Sequence, residues 1–216
     1  MPDAERARRR MVERQLRRRG IADERVLEAM GRVPREAFVR EEDREHAYED
    51  GPLAIGHGQT ISQPYMVALI CETAAVRTGE RVLDVGTGSG YQAAVLAELG
   101  GEVETIERVP ELAAAAHANL EAAGYDERVR VHVGDGSLGL PERAPFDAIV
   151  VAAAAPEPPP ALYEQLSERG RLVVPAGDRG DQRLLLVVRS PEGPAVARSV
   201  PCRFVPLLGA EGFEPW

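Results

Sequence analysis

The first third of the chain has apolar residues at helical intervals, separated by glycine and proline. A helix is predicted over 11–19, and the glycine that follows readily adopts the left-handed conformation that closes helices. Asp23 is predicted to cap a second helix, which ends before Pro34 because proline disfavours helical backbone in the residue before it. The glycine-rich stretch 51–63 is predicted to be a loop, and a third helix is predicted over 64–76.

Beyond this region, short apolar runs alternate with helical segments. Strands are predicted over 81–85, 103–106, 129–133, 146–152, 171–175, 184–189 and 202–206. Helices are predicted between them over 91–99, over 110–123 and in a segment that ends at 167. This alternation indicates an α/β fold with a doubly wound, mostly parallel seven-stranded sheet and an N-terminal helical extension. We divide the single domain into an N-terminal segment, 1–78, and an α/β core, 79–216.

The composition excludes several classes of protein. The 216 residues are 44% hydrophobic, enough for a core, but the longest apolar run, 148–155, is too short to span a bilayer. All 26 basic residues are arginine, so chemistry that needs a Schiff-base or phosphate-binding lysine is excluded. The histidines are scattered and predict no metal site. Two cysteines without CxxC spacing, in a chain with no export signal, indicate reduced thiols in a cytoplasmic protein.

The charge distribution bears on possible partners. The net charge of −9 does not favour nucleic-acid binding. Eight arginines nevertheless fall within 6–19. Such a run is typical of one solvated helix face, and the alternative is a docking patch for an acidic partner. A monomer is expected, with neither a nucleic acid nor a membrane as partner.

A glycine-rich loop follows the first strand of the core. The segment VLDVGTGSG places Gly86, Gly88 and Gly90 between a strand and a helix, the context that a cofactor loop requires. A dinucleotide fingerprint would need glycine or alanine where Tyr91 stands, and a Walker lysine is absent. An acidic residue, Asp84, ahead of a GxGxG loop resembles motif I of class I S-adenosylmethionine-dependent methyltransferases.

S-adenosylmethionine explains the acidic residues at three strand ends. Asp84 is placed to receive the methionine ammonium, directly or through water. Glu107 ends the second strand of the core, where its carboxylate can accept both ribose hydroxyls. Asp135 follows the third strand and can accept from the adenine amino group, while Gly136 lets the backbone approach the ring. Any one of them alone is an ordinary surface or turn residue, but their order at adjacent strand ends predicts one cofactor site.

The upstream segment 47–68, AYEDGPLAIGHGQTISQPYMVA, resembles the protein-L-isoaspartate O-methyltransferase family. The GQTISQPY portion is highly specific, whereas the glycine loop is shared with many methyltransferases. Four further segments carry the same resemblance: 33–39, 82–91, 147–156 and 203–207. The resemblance implies methyl transfer from S-adenosylmethionine onto the α-carboxylate of isoaspartyl residues in damaged proteins, followed by a succinimide that hydrolyses partly to normal aspartate.

The family resemblance also assigns residues. It implies Ser62 as the active-site residue, which would orient the substrate carboxylate. It places Gln59, Thr60, Ile61 and Ser62 itself beside the cofactor. The residues that it implies for the peptide cleft are Ile55, His57 and, in the closing segment, Val205.

Other interpretations remain open on the sequence alone. Ser62 can be an ordinary helix cap, and His57 a plain surface residue. Many family members carry an aromatic residue at the position of His57 and threonine at that of Ala152, which puts substrate preference in question. The rival functions are a methyltransferase for a small molecule or RNA, a binding module without turnover, and a nicotinamide enzyme.

Overall fold

A seven-stranded sheet forms the centre of the molecule. The computed structural model describes residues 2–178 and 180–214. The helices are α1 Pro2–Met11, α2 Glu24–Arg32, α3 Pro64–Ala74, α4 Tyr91–Glu98, α5 Pro110–Ala122 and α6 Pro160–Glu164. The strands are β1 Leu53–Gly56, β2 Gln59–Ile61, β3 Arg81–Val85, β4 Glu102–Glu107, β5 Val129–Val133, β6 Phe146–Val151, β7 Leu166–Gly177, β8 Gln182–Ser190 and β9 Gly193–Cys202.

The sheet has the strand order β5-β4-β3-β6-β7-β8-β9. Strands β3 to β7 pair in parallel, with Val82 opposite both Val103 and Ala148, whereas β8 and β9 are antiparallel additions. β3 and β6 are buried almost throughout because they lie in the middle of the sheet, which explains their unbroken apolar runs. The doubly wound, mostly parallel sheet predicted from the sequence is confirmed.

Two predicted boundaries near the C-terminus are wrong. The last strand was expected over 202–206, but β9 occupies Gly193–Cys202. β9 is an edge strand whose side chains are mostly exposed, so it lacks the apolar run that marks a central strand. The apolar residues after it leave the sheet, and a single bridge, between Ala154 and Pro206, joins them to the segment that follows β6. The preceding helix ends at Glu164 rather than 167, because the carbonyl of Gln165 already accepts the amide of Phe146 in the sheet.

The predicted loop 51–63 is instead a β-hairpin. Strands β1 and β2 pair antiparallel in a separate two-stranded sheet. His57 and Gly58 occupy the turn with φ of 51° and 70°, the positive values that both central residues of a tight hairpin turn need. The strands have four and three residues, too few to display an alternating pattern in the sequence. The hairpin delivers the segment before α3 to the carboxyl edge of the main sheet.

The arginine-rich N-terminus forms a solvated face. The helix continues from α1 through one wide turn, Val12–Leu16, and one tight turn, Arg17–Arg19, and then ends at Gly20 with φ of 97°. Of its eight arginines, all but Arg8 are exposed, and several pair with nearby acids. The Asp23 side chain accepts from the amide of Arg25 at 2.9 Å, which confirms the predicted cap of α2.

The N-terminal segment packs against the start of α4. Phe38 meets the edge of the Tyr91 ring at 5.7 Å between centroids. The Arg35 guanidinium lies 4.9 Å from the centroid of the same ring, and its Nε donates to the carbonyl of Ala47 at 2.7 Å. Burial lowers the pKa of Arg35 to about 10. These contacts fix the first residue of the helix that follows the glycine loop.

Two further expectations concern a membrane and the state of the cysteines. Within residues 2–178 and 180–214, no helix combines the length and the apolar character that crossing a membrane requires. Cys71 and Cys202 are not joined by a disulfide; Cys71 is buried, whereas Cys202 is only partly buried.

Candidate active site

A cavity lies at the carboxyl ends of β3, β4 and β6. Its walls come from the glycine loop, from the hairpin strand β2, from the turn after β5 and from the segment that follows β9. The predicted site residues on these walls are Gln59, Thr60, Ile61, Ser62, Gly86, Gly88, Glu107, Gly136 and Val205. Open α/β sheets bind ligands at this edge, so the position agrees with a cofactor site.

The glycine loop forms the floor of the cavity. Gly86, Gly88 and Gly90 have φ values of 92°, 52° and 91°, which side-chain-bearing residues rarely adopt. The amide of Gly86 donates to the carbonyl of Ile106 at 2.9 Å and ties the loop to β4. A Cβ at Gly88 would lie 3.3 Å from Cδ1 of Ile55, so the hairpin closes tightly against the loop.

Glu107 is held by the backbone on both of its oxygens. Oε2 accepts from the amide of Gly88 and Oε1 from the amide of Val109, each at 3.0 Å. The side chain is mostly buried and lines the cavity. A carboxylate offers about four acceptor positions, so two remain for a bidentate ligand such as a ribose diol. The carboxylate is thus fixed in orientation before any ligand arrives.

Asp84 lies beneath the cavity rather than on its wall. It is fully buried, accepting from Gln92 Nε2 at 2.7 Å and from Thr105 Oγ1 at 2.9 Å. Burial raises the pKa of Asp84 to about 6, even though both hydrogen bonds favour its ionised form. Gln92 does line the cavity, and its buried Oε1 has no hydrogen-bond partner in the described structure. Gln92 was not among the predicted site residues, although a lone polar residue at the start of an otherwise apolar helix is a usable signal.

The raised pKa of Asp84 makes stability depend on pH. A carboxyl group that binds its proton more tightly when folded stabilises the fold at low pH, and this contribution is lost as pH rises through the folded pKa. Because of Asp84, the free energy of unfolding should therefore fall by about 2–3 kcal/mol as the pH rises from about 4 to about 6. We expect Asp84→Asn to raise the stability of the cofactor-free protein at pH 8 and to leave it nearly unchanged near pH 4. Urea unfolding at both pH values measures this; the same gain at both would contradict it.

Ser62 stands between β2 and α3 with an uncommitted hydroxyl. The residue that caps α3 is Gln63, and no side chain caps the helix by hydrogen bonding. Within the described residues the Ser62 hydroxyl has no hydrogen-bond partner, and the half-buried side chain lines the cavity. The alternative interpretation of Ser62 as an ordinary helix cap is therefore wrong. A hydroxyl at the positive end of a helix suits an anionic group.

Five predicted site residues do not line the cavity: Asp84, Gly90, Asp135, Ile55 and His57. Ile55 packs on Gly88, one layer behind the wall. His57 is exposed at the hairpin turn. Asp135 accepts from Ser137 and from the amide of Ala210, so it faces the C-terminal segment. Their assigned roles stay predictions.

The comparisons with known proteins decide the family. The family model described as protein-L-isoaspartate(D-aspartate) O-methyltransferase matches residues 6–212. The chain belongs to this family. The resemblance noted from the GQTISQPY segment and the glycine loop is thereby confirmed.

Relatives in the protein-L-isoaspartate O-methyltransferase family match nearly the whole chain. A protein of that name, numbered 2, from Marinobacter nauticus is 57% identical over 95% of this chain and 94% of its own length. Another, from Hyperthermus butylicus, is 53% identical over 97% of this chain and 92% of its own. A Plasmodium falciparum crystal structure, described as a β-aspartate methyltransferase in complex with S-adenosyl-L-homocysteine, has a TM-score of 0.82 and 29% identity, covering 93% of this chain and 98% of that one.

Proposed function

We infer that this chain methylates the α-carboxylate of L-isoaspartyl residues in damaged proteins and peptides, with S-adenosylmethionine as the methyl donor. Membership of the family over residues 6–212 is the observation that carries this conclusion. The family's relatives match 95–97% of the chain and 92–94% of their own lengths, which supports the same activity. The methyl ester then closes to a succinimide, whose hydrolysis returns part of the material to normal aspartate.

The residues present fit this cofactor. Glu107 has free acceptor positions for the ribose, and Gly136 brings backbone to the cavity wall where an adenine ring would lie. The orphaned Oε1 of Gln92 suits an ammonium donor, with Asp84 behind it supplying negative charge. We propose that Gln59, Thr60 and Ile61 complete the cofactor side of the cavity. When bound, S-adenosylmethionine supplies an electrophilic methyl group: the carboxylate oxygen bonds to the methyl carbon as the carbon–sulfur bond breaks, and its electron pair stays on sulfur.

The chain need not remove a proton for this reaction. An α-carboxyl group has a pKa of about 3.5, so the substrate is already an anion at neutral pH. The task left to the protein is alignment of the carboxylate oxygen with the methyl carbon and sulfur. We propose that Ser62 donates its hydroxyl hydrogen bond to the second carboxylate oxygen and so sets that line. The lack of a paired general base at Ser62 agrees with this role.

We propose a division of the chain between substrate and cofactor. Residues 1–78 would carry the peptide cleft, with Ile55 and His57 on one side, and residues 79–216 the cofactor core. Val205 would close the cleft from the opposite side. The partners would be isoaspartyl proteins and peptides, bound by a monomer, and the net charge of −9 does not favour a nucleic acid as a partner. Free Cys71 and Cys202 support a cytoplasmic location.

Product analysis tests this function. A synthetic isoaspartyl peptide is incubated with the protein and S-adenosylmethionine, and the products are separated by chromatography with mass detection. We expect a methyl ester first, then the succinimide, then a mixture of isoaspartyl and aspartyl peptides. A peptide that stays unmodified while the protein still binds S-adenosylhomocysteine would leave the cofactor site standing and move the function to another acceptor.

A further inference from the structure

The segment after β9 crosses the cofactor cavity. We call residues 203–213 the C-terminal strap. Val205, Pro206, Leu207 and Leu208 of the strap line the cavity. After β6, the backbone of Ala154 forms two hydrogen bonds with the strap. Its amide donates to the carbonyl of Val205 at 2.8 Å, and its carbonyl accepts from the amide of Leu207 at 2.7 Å. This attachment is a single bridge, so it holds only one end of the strap.

The other end of the strap is attached through two side chains after β5 and through the Glu211 carboxylate, which accepts from the amide of Ala161 at 2.8 Å. Asp135 Oδ2 accepts from the amide of Ala210 at 2.7 Å, and Ser137 Oγ accepts from the amide of Glu211 at 3.0 Å. Asp135 Oδ1 accepts from both the amide and the hydroxyl of Ser137, at 2.9 and 2.7 Å. Three of about four acceptor positions on the carboxylate are therefore used to hold the strap and its own turn.

The fit between the strap and Asp135 leaves no room for a side chain. A Cβ added at Gly209 would lie 2.0 Å from Asp135 Oδ1 and 2.6 Å from Ser137 Oγ. Gly209 does not have a positive φ, so close approach rather than backbone conformation requires the glycine. A charged acceptor bonded to backbone amides makes a strong contact, and Ser137, the second acceptor for the strap, is buried.

We propose that Asp135 and Ser137 are positioning residues that latch the C-terminal strap over the cofactor cavity, and that opening of this latch sets the rate at which the spent cofactor leaves. The second half rests on the proposed function. The geometry supports it because the turn that carries the latch also contributes Gly136 to the cavity wall, while the strap contributes the opposite wall. The latch therefore joins two walls of one cavity.

Hydrogen exchange of the cofactor-free protein tests the latch without reference to activity. In Asp135→Asn, one of the two carboxylate oxygens becomes an NH2 group, which cannot accept a hydrogen bond. That group faces the amide of Ala210 in one orientation of the side chain and the donors of Ser137 in the other. We expect the amides of Ala210 and Glu211 to exchange about 10- to 100-fold faster, the scale of one lost charge-assisted hydrogen bond. Gly209→Ala should have the same effect by displacement of the strap. The amide of Gly134, which donates to Glu107 O, should not change.

Matched variants separate the latch from other effects. Asp147→Asn is the control, because Asp147, like Asp135, accepts from backbone amide and serine hydroxyl donors, here Arg81 and Ser167, but lies at the opposite end of the sheet. Ser137→Ala removes the acceptor for Glu211 without removing a carboxylate, so it isolates the latch from the predicted adenine contact of Asp135. Gly180→Ala, in open space, controls for Gly209→Ala.

Dissociation of S-adenosylhomocysteine, measured by stopped flow, tests the second half. We expect Ser137→Ala and Gly209→Ala to raise the dissociation rate about tenfold, with both controls unchanged. Unchanged exchange at Ala210 and Glu211 in all three latch variants would overturn the latch. Faster exchange with an unchanged dissociation rate would overturn its control of release. Neither result depends on whether isoaspartyl peptides are methylated, so failure of the proposed function would be seen separately.

Discussion

Replacing Glu107 with alanine is expected to weaken S-adenosylmethionine binding by about 3 kcal/mol, or about 100-fold. The carboxylate is the one charged acceptor that we assign to the ribose, and both of its oxygens are pre-oriented by the amides of Gly88 and Val109. Its removal would cost the ribose hydrogen bonds and also free the glycine loop that forms the cavity floor. Isothermal calorimetry with S-adenosylhomocysteine measures the loss directly.

Two further variants make the Glu107 result specific. Glu107→Gln keeps one acceptor oxygen, so it should lose less affinity than alanine. Glu102→Ala is the control, because Glu102 lies on the same strand but at its amino end, away from the cofactor cavity. Wild-type affinity in Glu107→Ala would remove the ribose assignment, and equal losses in both alanine variants would indicate general destabilisation of β4.

Replacing Ser62 with alanine is expected to lower turnover of a saturating isoaspartyl peptide about 10- to 100-fold. The Ser62 hydroxyl has no partner among the described residues, so the variant breaks no hydrogen bond of the fold. What it removes is the bond that we assign to the substrate carboxylate as the methyl group is transferred. Cofactor affinity should change little, since Glu107 and the glycine loop stay in place.

A fall in turnover without a fall in cofactor affinity would distinguish a role of Ser62 in the reaction from a role in the fold. Ser62→Thr retains a hydroxyl and should recover part of the activity. Ser199→Ala provides a control, because the Ser199 hydroxyl bonds to Arg183 on the exposed edge of the sheet. Full turnover in Ser62→Ala would exclude Ser62 from the mechanism, and a parallel fall in thermal stability would assign it to packing.

The central strands could be predicted from the sequence because they are buried. Central strands such as β3 and β6 are buried on both faces, so their apolar runs are continuous and unambiguous. The positions of the glycine loop and Glu107 beside the cavity were predictable because backbone conformation and strand-end position constrain the residue type. The hairpin was not, because its strands are too short to show periodicity, and β9 was not, because an exposed edge strand needs few apolar residues.

The parts of the site that could not be predicted depend on tertiary contacts. The sequence predicts that Asp84 receives the cofactor ammonium, directly or through water. The structure places Asp84 beneath the cavity and bonded to Gln92, which lines the cavity, and only the packing of α4 on β3 reveals this contact. Asp135 was predicted to bind adenine from its position after a strand. Its contact with Ala210 joins residues 75 positions apart, and no local pattern records it.

A methyl-transfer assay with matched peptides tests the central claim most directly. The pure protein is incubated with radiolabelled S-adenosylmethionine and one of two peptides that differ only in holding isoaspartate or normal aspartate at one position. We expect label on the isoaspartyl peptide alone, released in mild base as methanol because the product is a methyl ester. Equal labelling of both peptides, or label that survives base, would contradict methylation of the isoaspartyl α-carboxylate.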